Sequence, residues 1–464
     1  MLPWYSEDIK EKAREMPMKR VILFLLVCLL LLGCSAKAPV EQEADNTPRI
    51  EEDTPEKEKT AISLAGVNWQ DSRIKRVITE FNKTSSDYTV SMIDYGITVS
   101  QEQGEMALQT QMQAGNIPDL LIFDRRSNET AEDLDAISPL PYISGGMLMD
   151  LDPLIEDGRL SFDREDCIIW DALHEFGGMY LIGPKFRVHA LYCLPEIAEQ
   201  YQGWTLEDYL ALQDSLSENQ KLMYYMEPMA FIEYVGSRYI HDAVDVTNAT
   251  CDFETPELIS VLEAACHIKS SNAQEDHIQD DGSFKGAPEM MLEGSLYFCE
   301  TQLNSAFDVS FDRFRAKTDH PMGYLGYPTP DGSNGMYIDL PYAVGICAGT
   351  DQLDGCLAFL NYMLQHPIYQ DAYDGTPLFR SQLADNLKAI NDMTTASPWV
   401  TEQIDQDALV SAAATCQNLS YFDMDILGII EEEAAPVLAG ERTAEDAAAR
   451  IQERASILVA ERYE

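Results

Sequence analysis

Residues 62–92 read ISLAGVNWQDSRIKRVITEFNKTSSDYTVSM, and their pattern decides the fold class. Ile62–Val67 is a short apolar run, which predicts a buried strand. Asp71 or Ser72 then caps a helix whose apolar residues Ile74, Val77, Ile78 and Phe81 recur at i, i+3, i+4 and i+7. Tyr88–Met92 returns to strand character. A second helix follows and ends at the stop signals Gly115 and Pro118. Leu120-Leu121-Ile122-Phe123 is then a continuous apolar strand, as expected where helices cover both faces of a sheet. Strand, helix, strand, helix, strand is a parallel α/β arrangement.

The later chain repeats this grammar. Thr205 and Asp208 form a capping-box pattern, Thr255-Pro256 places a cap and an N1 proline, and Thr443 with Asp446 caps a terminal helix. Trp170 and Trp204 read as core residues. No repeat occurs at a solenoid period.

Upstream, residues 21–32 (VILFLLVCLLLL) cover about 18 Å as a helix, short of the roughly 30 Å hydrocarbon core of a bilayer. Lys19 and Arg20 precede this run and small residues follow, the layout of a secretory signal over 1–33. Residues 1–17 have no place in such a signal, so Met18 is the expected start. Leu31-Leu32-Gly33-Cys34 resembles the lipobox of bacterial lipoproteins, which implies a lipid on Cys34 and anchorage outside the cell membrane. Residues 35–60 are acidic and nearly free of apolar side chains, so 34–60 reads as a lipidated cysteine followed by a disordered tether. The remaining length from 61 to 464 is too great for one ordinary core and predicts two lobes.

The net charge is −47, which sets the chain against phosphate backbones and excludes nucleic acid as a partner. Apart from Cys28 and Cys34, eight cysteines show no CxxC and read as buried free thiols. Cys347 and Cys356 are the one nearby pair worth testing. Seven scattered histidines have no zinc spacing, and Asp280-Asp281-Gly282 and Asp331-Gly332-Ser333-Asn334 lack the bidentate Glu of a calcium loop. There is no GxxxxGK, GxSxG or HExxH. No cofactor and no enzymatic activity are expected.

The order of several segments resembles family 1 extracellular solute-binding lipoproteins, the sugar receptors of ABC importers. They are EFNKTSSDYTV (80–90), QAGNIPDLLIF (113–123), MDLDPLIEDG (149–158), GGMYLIGPKF (177–186) and GWTLEDYL (203–210), followed by FETPELISVLE (253–263), GYPTPDGSNGMYIDLPYAVGI (326–346) and AGERTAEDAAARIQERASILVAE (439–461). The resemblance implies a two-lobed periplasmic-binding-protein-like α/β fold of type II with the ligand cleft between lobes. It implies chain crossings near Phe186–Val188, Cys299–Phe307 and Cys347–Asp351. Lobe 1 is then 61–187 plus 300–347, and lobe 2 is 188–299 plus 348–464. It also implies capture of a mono- or oligosaccharide by lobe closure, delivery to the transmembrane subunits of a permease, and action as a monomer.

Ligands in open α/β sheets sit beyond the carboxyl ends of strands. A sugar asks for flat aromatic faces and charge-assisted hydrogen bonds. The candidates at strand ends and crossings are therefore Trp69, Asp124, Arg125, Phe186, Arg187, Glu300, Tyr337, Asp339 and Tyr342. Glu227, Phe231 and Tyr234 align with a stretch that lines the cleft in the family. Two alternatives stay open: a receptor for a peptide or polyamine, which an acidic cleft would suit, and a surface glycosidase, which would need two carboxylates about 5–10 Å apart.

Overall fold

The computed structural model describes residues 58–69, 71–97, 99–124, 138–245, 248–273, 285–303, 322–371, 374–394, 406–416, 419 and 424–463. The signal, Cys34, the tether up to residue 57, Arg125 and the Asp280–Gly282 turn lie outside them, while Thr60, expected in the tether, opens the first strand. Among the described residues no helix is long and apolar enough to cross a membrane.

The opening pattern folds as it reads. Strand β1 (Thr60–Gly66) pairs in parallel with β2 (Tyr88–Asp94) and β3 (Leu120–Asp124). Helix α1 (Ser72–Thr84) begins at Asp71, whose carboxylate accepts from the amides of Arg73 and Ile74. It buries Ile74, Val77, Ile78 and Phe81, each worth about 1.5–3 kcal/mol of transfer free energy. Helix α2 spans Gln101–Gln113. The Asp of Pro118-Asp119-Leu120 fastens the layer: its carboxylate accepts from the Ser63 amide and hydroxyl at 2.8 Å and from the Thr350 hydroxyl at 2.6 Å. Gly66 is required by close approach, since a Cβ there would lie 2.7 Å from the Ile122 side chain and 2.9 Å from Trp69.

Strand β4 (Lys185–Cys193) organises the second sheet. It pairs antiparallel with β6 (Leu296–Leu303), and also with the short strands β7 (Gly323–Leu325) and β8 (Tyr337–Asp339). Strand β5 (Lys221–Met223) extends this sheet beyond β6 in parallel. Strand β9 (Tyr342–Ile346) returns to the first sheet, antiparallel to β3, giving the order β9-β3-β1-β2.

Two large apolar cores result. The first surrounds β1, β3 and β9, and takes in Phe186, Val188 and Ala190 of β4 together with Leu303 and Ile338. The second holds Leu191 and Cys193 of the same β4, Phe298 of β6, and Leu325 and Tyr327. Into the second also pack helices α3 (Leu206–Ser215), α4 (Pro228–Ala243), α5 (Pro256–Ala265), α8 (Met424–Leu438) and α9 (Ala444–Tyr463). The predicted caps at Thr205 and Thr255 are present, with Asp208 completing the box, and the Asp446 amide donates to Thr443. Trp204 lies in the second core with its indole N–H on the Gly326 carbonyl at 3.0 Å. Trp170 packs against the first.

The cores divide the chain differently from the expected lobes. Strand β4 passes from one to the other between Ala190 and Leu191, a few residues beyond Phe186–Val188. On β6, Phe298 belongs to the second core and Leu303 to the first. Cys347–Asp351 is no crossing: helix α6 (Leu353–Leu364) and helix α7 (Gln406–Ala414) remain in the first core, and the chain moves across between Leu419 and Ile426. The reason is local, since Cys356, Phe359 and Leu360 pack against β1 and α1, with Phe359 edge-on to Phe81 at 5.4 Å. The eight cysteines are free; Cys266 is exposed, Cys251 half-buried and the other six buried.

Candidate functional site

Side chains of a strand alternate between its two faces, and β4 uses the alternation to serve two purposes. Phe186, Val188 and Ala190 point into the first core. Arg187 and His189 therefore stand on the other face. Register puts partners beside them: His189 lies opposite both Gln302 of β6 and Tyr337 of β8, Arg187 opposite Asp339, and Leu191 opposite Glu300. The three strands that link the cores thus carry Arg187, His189, Glu300, Gln302, Tyr337 and Asp339 on one polar face.

The fixed part of this floor is a bidentate ion pair. Arg187 Nε donates to Asp339 Oδ1 at 2.6 Å and Nη2 to Oδ2 at 3.0 Å, with both side chains 2% exposed. Buried charges persist only when paired and hydrogen-bonded, and a forked guanidinium meets that condition. Asp339 Oδ2 also lies 3.1 Å from His189 Nε2, which in turn is 3.1 Å from the Gln302 amide nitrogen. The imidazole stacks on Tyr337 with centroids 4.4 Å apart and planes 13° from parallel.

The second part surrounds Glu300. The hydroxyls of Tyr234 on α4 and Tyr327 after β7 donate to its carboxyl group, and their rings stack at 5.3 Å and 6°. Burial raises the carboxyl from its ordinary 4.5 to about 7, against the two phenols, which favour the ionised form. Both phenols are themselves pushed up by burial and by the nearby carboxylate, so they remain donors. Glu300 Oε1 is buried without a hydrogen-bond partner. Beside Tyr327 opens a recess of about 520 Å³ whose walls include Trp204, Met336, Ser411 and Thr415, residues that belong to both cores or border them.

Five of the residues expected from sequence meet here: Arg187, Asp339, Tyr337, Glu300 and Tyr234. Arg125 lies outside the described residues, and the other candidates do not join them. Trp69 lies three residues beyond β1 rather than at its end, 0% exposed, with its indole N–H on the Ile93 carbonyl at 3.2 Å. Phe186 faces the first core by the alternation of β4, and Phe231 is buried in the second core beside Tyr209. Tyr342 is buried in the first core, hydrogen-bonded to the Tyr369 hydroxyl. The expectation that these four rings offer their faces to a solute is corrected by that burial: each is worth more to the core than to a wet cleft. Asp124 accepts from the Asp71 amide at 3.1 Å and so supports the start of α1. Glu227 stands at the head of α4 and receives the Ser270 hydroxyl. Glu300 lies within β6, Tyr337 and Asp339 bound β8, and Tyr342 begins β9.

His189, Gln302 and Tyr327 were not anticipated. The signal for His189 was present, because polar Arg187 and His189 alternate with Phe186, Val188 and Ala190 in KFRVHALYC. Gln302 and Tyr327 become visible only through register and stacking.

A family model of bacterial extracellular solute-binding proteins matches residues 76–402. The chain belongs to that family. As an extracellular solute-binding protein it acts outside the cytoplasm, and solved structures share its two-lobed fold. The sugar-binding protein MalE from Xanthomonas citri superposes with a TM-score of 0.55 at 12% identity, over 87% of this chain and 98% of that one. A family 1 extracellular solute-binding protein from Alicyclobacillus acidocaldarius gives 0.50 at 13%, over 87% and 99%. The cyclic alpha-maltosyl-1,6-maltose binding protein from Arthrobacter globiformis gives 0.50 at 15%, over 87% and 100%. A comparison with curated proteins finds no match.

Proposed function

We propose that this solute-binding protein captures a carbohydrate between its two lobes and hands it to the membrane subunits of an ABC importer. The single observation that carries this reading is the polar face of β4, β6 and β8, a dense set of hydrogen-bonding side chains bordered by stacked aromatic rings. Sugars need such a surface, because each hydroxyl taken from water must be re-bonded, while C–H faces favour aromatic rings. Of the solved structures with this fold, one is named a sugar-binding protein and another a cyclic alpha-maltosyl-1,6-maltose binding protein, which supports the same class. The carboxylate of Asp339 is occupied by Arg187, so the groups offered to a solute are His189, Gln302, Tyr337 and Glu300. The lipid on Cys34 tethers the monomeric receptor to the outer face of the membrane, close to its permease, and the receptor does not alter its cargo.

The test is a thermal-shift screen of neutral mono- and oligosaccharides, peptides and polyamines against the mature chain. Selective binding raises the melting temperature, by an amount that grows with the ratio of ligand concentration to Kd. The expected hit is a carbohydrate that also lowers the radius of gyration in solution scattering. Stabilisation by peptides or polyamines alone would refute the carbohydrate assignment, and cleavage of the sugar during incubation would refute a receptor role.

A further inference from the structure

The Glu300 cluster has a feature that holding a sugar does not by itself require. A carboxyl group sits on β6 where the chain passes between the cores, bounded by the phenols of Tyr234 and Tyr327, yet one oxygen is buried with no donor. A buried acceptor without a partner is costly, and a ligand that supplies the donor recovers that cost. We infer that Glu300 couples solute capture to proton release: a solute hydroxyl donates to Oε1, the carboxyl ionises, and its proton passes to the solvent. This rests on the carbohydrate reading above.

The surroundings fix the sign. On β6 itself the neighbour on the same face is Gln302. From β4 come His189 and the neutralised Arg187, from β8 Tyr337 and the paired Asp339, from α4 Glu233 and Tyr234, from α3 Tyr209, and from the segment after β7 Tyr327. Glu431 on α8 adds negative charge near Glu233. Among the described residues of this set the one full positive charge, Arg187, is held by Asp339 at 2.6 Å and 3.0 Å, so what they offer a carboxylate in the solute-free site is chiefly the two phenols. A third donor from the solute favours the ionised form, and the linked affinity therefore rises with pH until Glu300 is ionised in the free protein. Taking the free carboxyl at about 7 and the bound one back at its ordinary 4.5, the apparent Kd at about pH 5.5 exceeds that at about pH 8 by about 30-fold.

The experiment is isothermal titration calorimetry on the mature protein with maltose, maltotriose, cellobiose, xylobiose and tagatose. It is run at about pH 5.5 and about pH 8, each in two buffers of different ionisation enthalpy, which counts the protons released. Expected is a sugar that binds about 30-fold tighter at the higher pH and releases close to one proton at the lower. Glu300→Gln removes both effects, while His189→Gln weakens binding but keeps the slope. Equal affinity at both pH values without proton exchange overturns the linkage and leaves the carbohydrate reading standing. A slope that persists in Glu300→Gln and vanishes in His189→Gln overturns it in favour of the imidazole. Binding of none of these sugars at either pH, with a peptide or polyamine hit in the thermal screen, overturns the carbohydrate reading and this inference with it.

Discussion

Replacing Glu300 by Gln should remove a pH dependence of folding as well as of binding, and the size can be worked from the site. The folded protein holds the carboxyl at about 7, against an ordinary value of 4.5, because burial penalises the charge more than Tyr234 and Tyr327 relieve it. Between these values the folded state carries more protons than the unfolded state, so this group's contribution falls as pH rises through that window and levels off above about 7. At about 1.4 kcal/mol per pH unit of fully unequal protonation, the loss between about pH 5 and about pH 8 comes to about 2–3 kcal/mol. Gln keeps the shape and an acceptor oxygen for the phenols but never ionises. The variant should therefore gain about 2–3 kcal/mol on wild type across that interval, read from urea unfolding followed by far-UV circular dichroism and tryptophan fluorescence. Parallel pH profiles for the two proteins would refute the argument, because they would mean that Glu300 ionises as freely when folded as when unfolded.

Three further outcomes follow from the same geometry. Arg187→Met should destabilise by about 3–5 kcal/mol, since it takes the forked guanidinium from the buried Asp339 carboxylate, whereas Arg187→Met with Asp339→Leu should cost much less than the sum of the single changes; the double-mutant cycle in urea measures this. Asp71→Ala should cost about 1 kcal/mol in the same assay by removing the cap of α1, whose carboxylate serves the Arg73 and Ile74 amides. In native protein at about pH 8, a thiol reagent should modify Cys266 readily and Cys251 slowly, leaving the six buried thiols, among them Cys347 and Cys356 raised to about 12, unreactive until urea is added; rapid native modification of that pair would contradict their burial.

The fold was legible because its first units obey local rules. Asp71 before an i, i+3, i+4, i+7 stripe can cap only one helix face, and Leu120–Phe123 is apolar at every position because both sheet faces are covered. The lobe boundaries were less legible because crossing strands carry no compositional mark. Ala190 and Leu191 are adjacent apolar residues, and nothing in their identity says that one closes the first core and the other the second. The assignment of α6 failed for a related reason: its apolar face would suit either core, and what decides is Phe359 meeting Phe81 across some 280 residues of chain. At the site, placing a ligand beyond strand ends and at crossings points to the charged residues Arg187, Asp339 and Glu300. Aromatics were found poorly, because Trp69, Phe186, Phe231 and Tyr342 satisfy cores and clefts alike until burial is known.

The two faces of β4 also suggest why capture and closure belong together. Its even-numbered residues up to Ala190 are locked in the first core, while Leu191 and Cys193 are locked in the second. A bend between the lobes must therefore pass through the same short stretch that carries the polar floor. On the proposed reading, a solute on that floor would touch the Arg187–Asp339 pair's neighbours on one side and the Tyr234–Glu300–Tyr327 group, packed on the second core, on the other. Only contacts that exist in the closed state and not in the open one shift the balance. Moving from mostly open to mostly closed takes about 5.5 kcal/mol of such difference. At about 1–1.5 kcal/mol net per hydrogen bond, with more for bonds to a charged group, about four contacts divided between the lobes are enough. On the proposed reading, His189, Gln302, Tyr337 and an ionised Glu300 would make that number, and the last of them would contribute most when its missing donor comes from the solute.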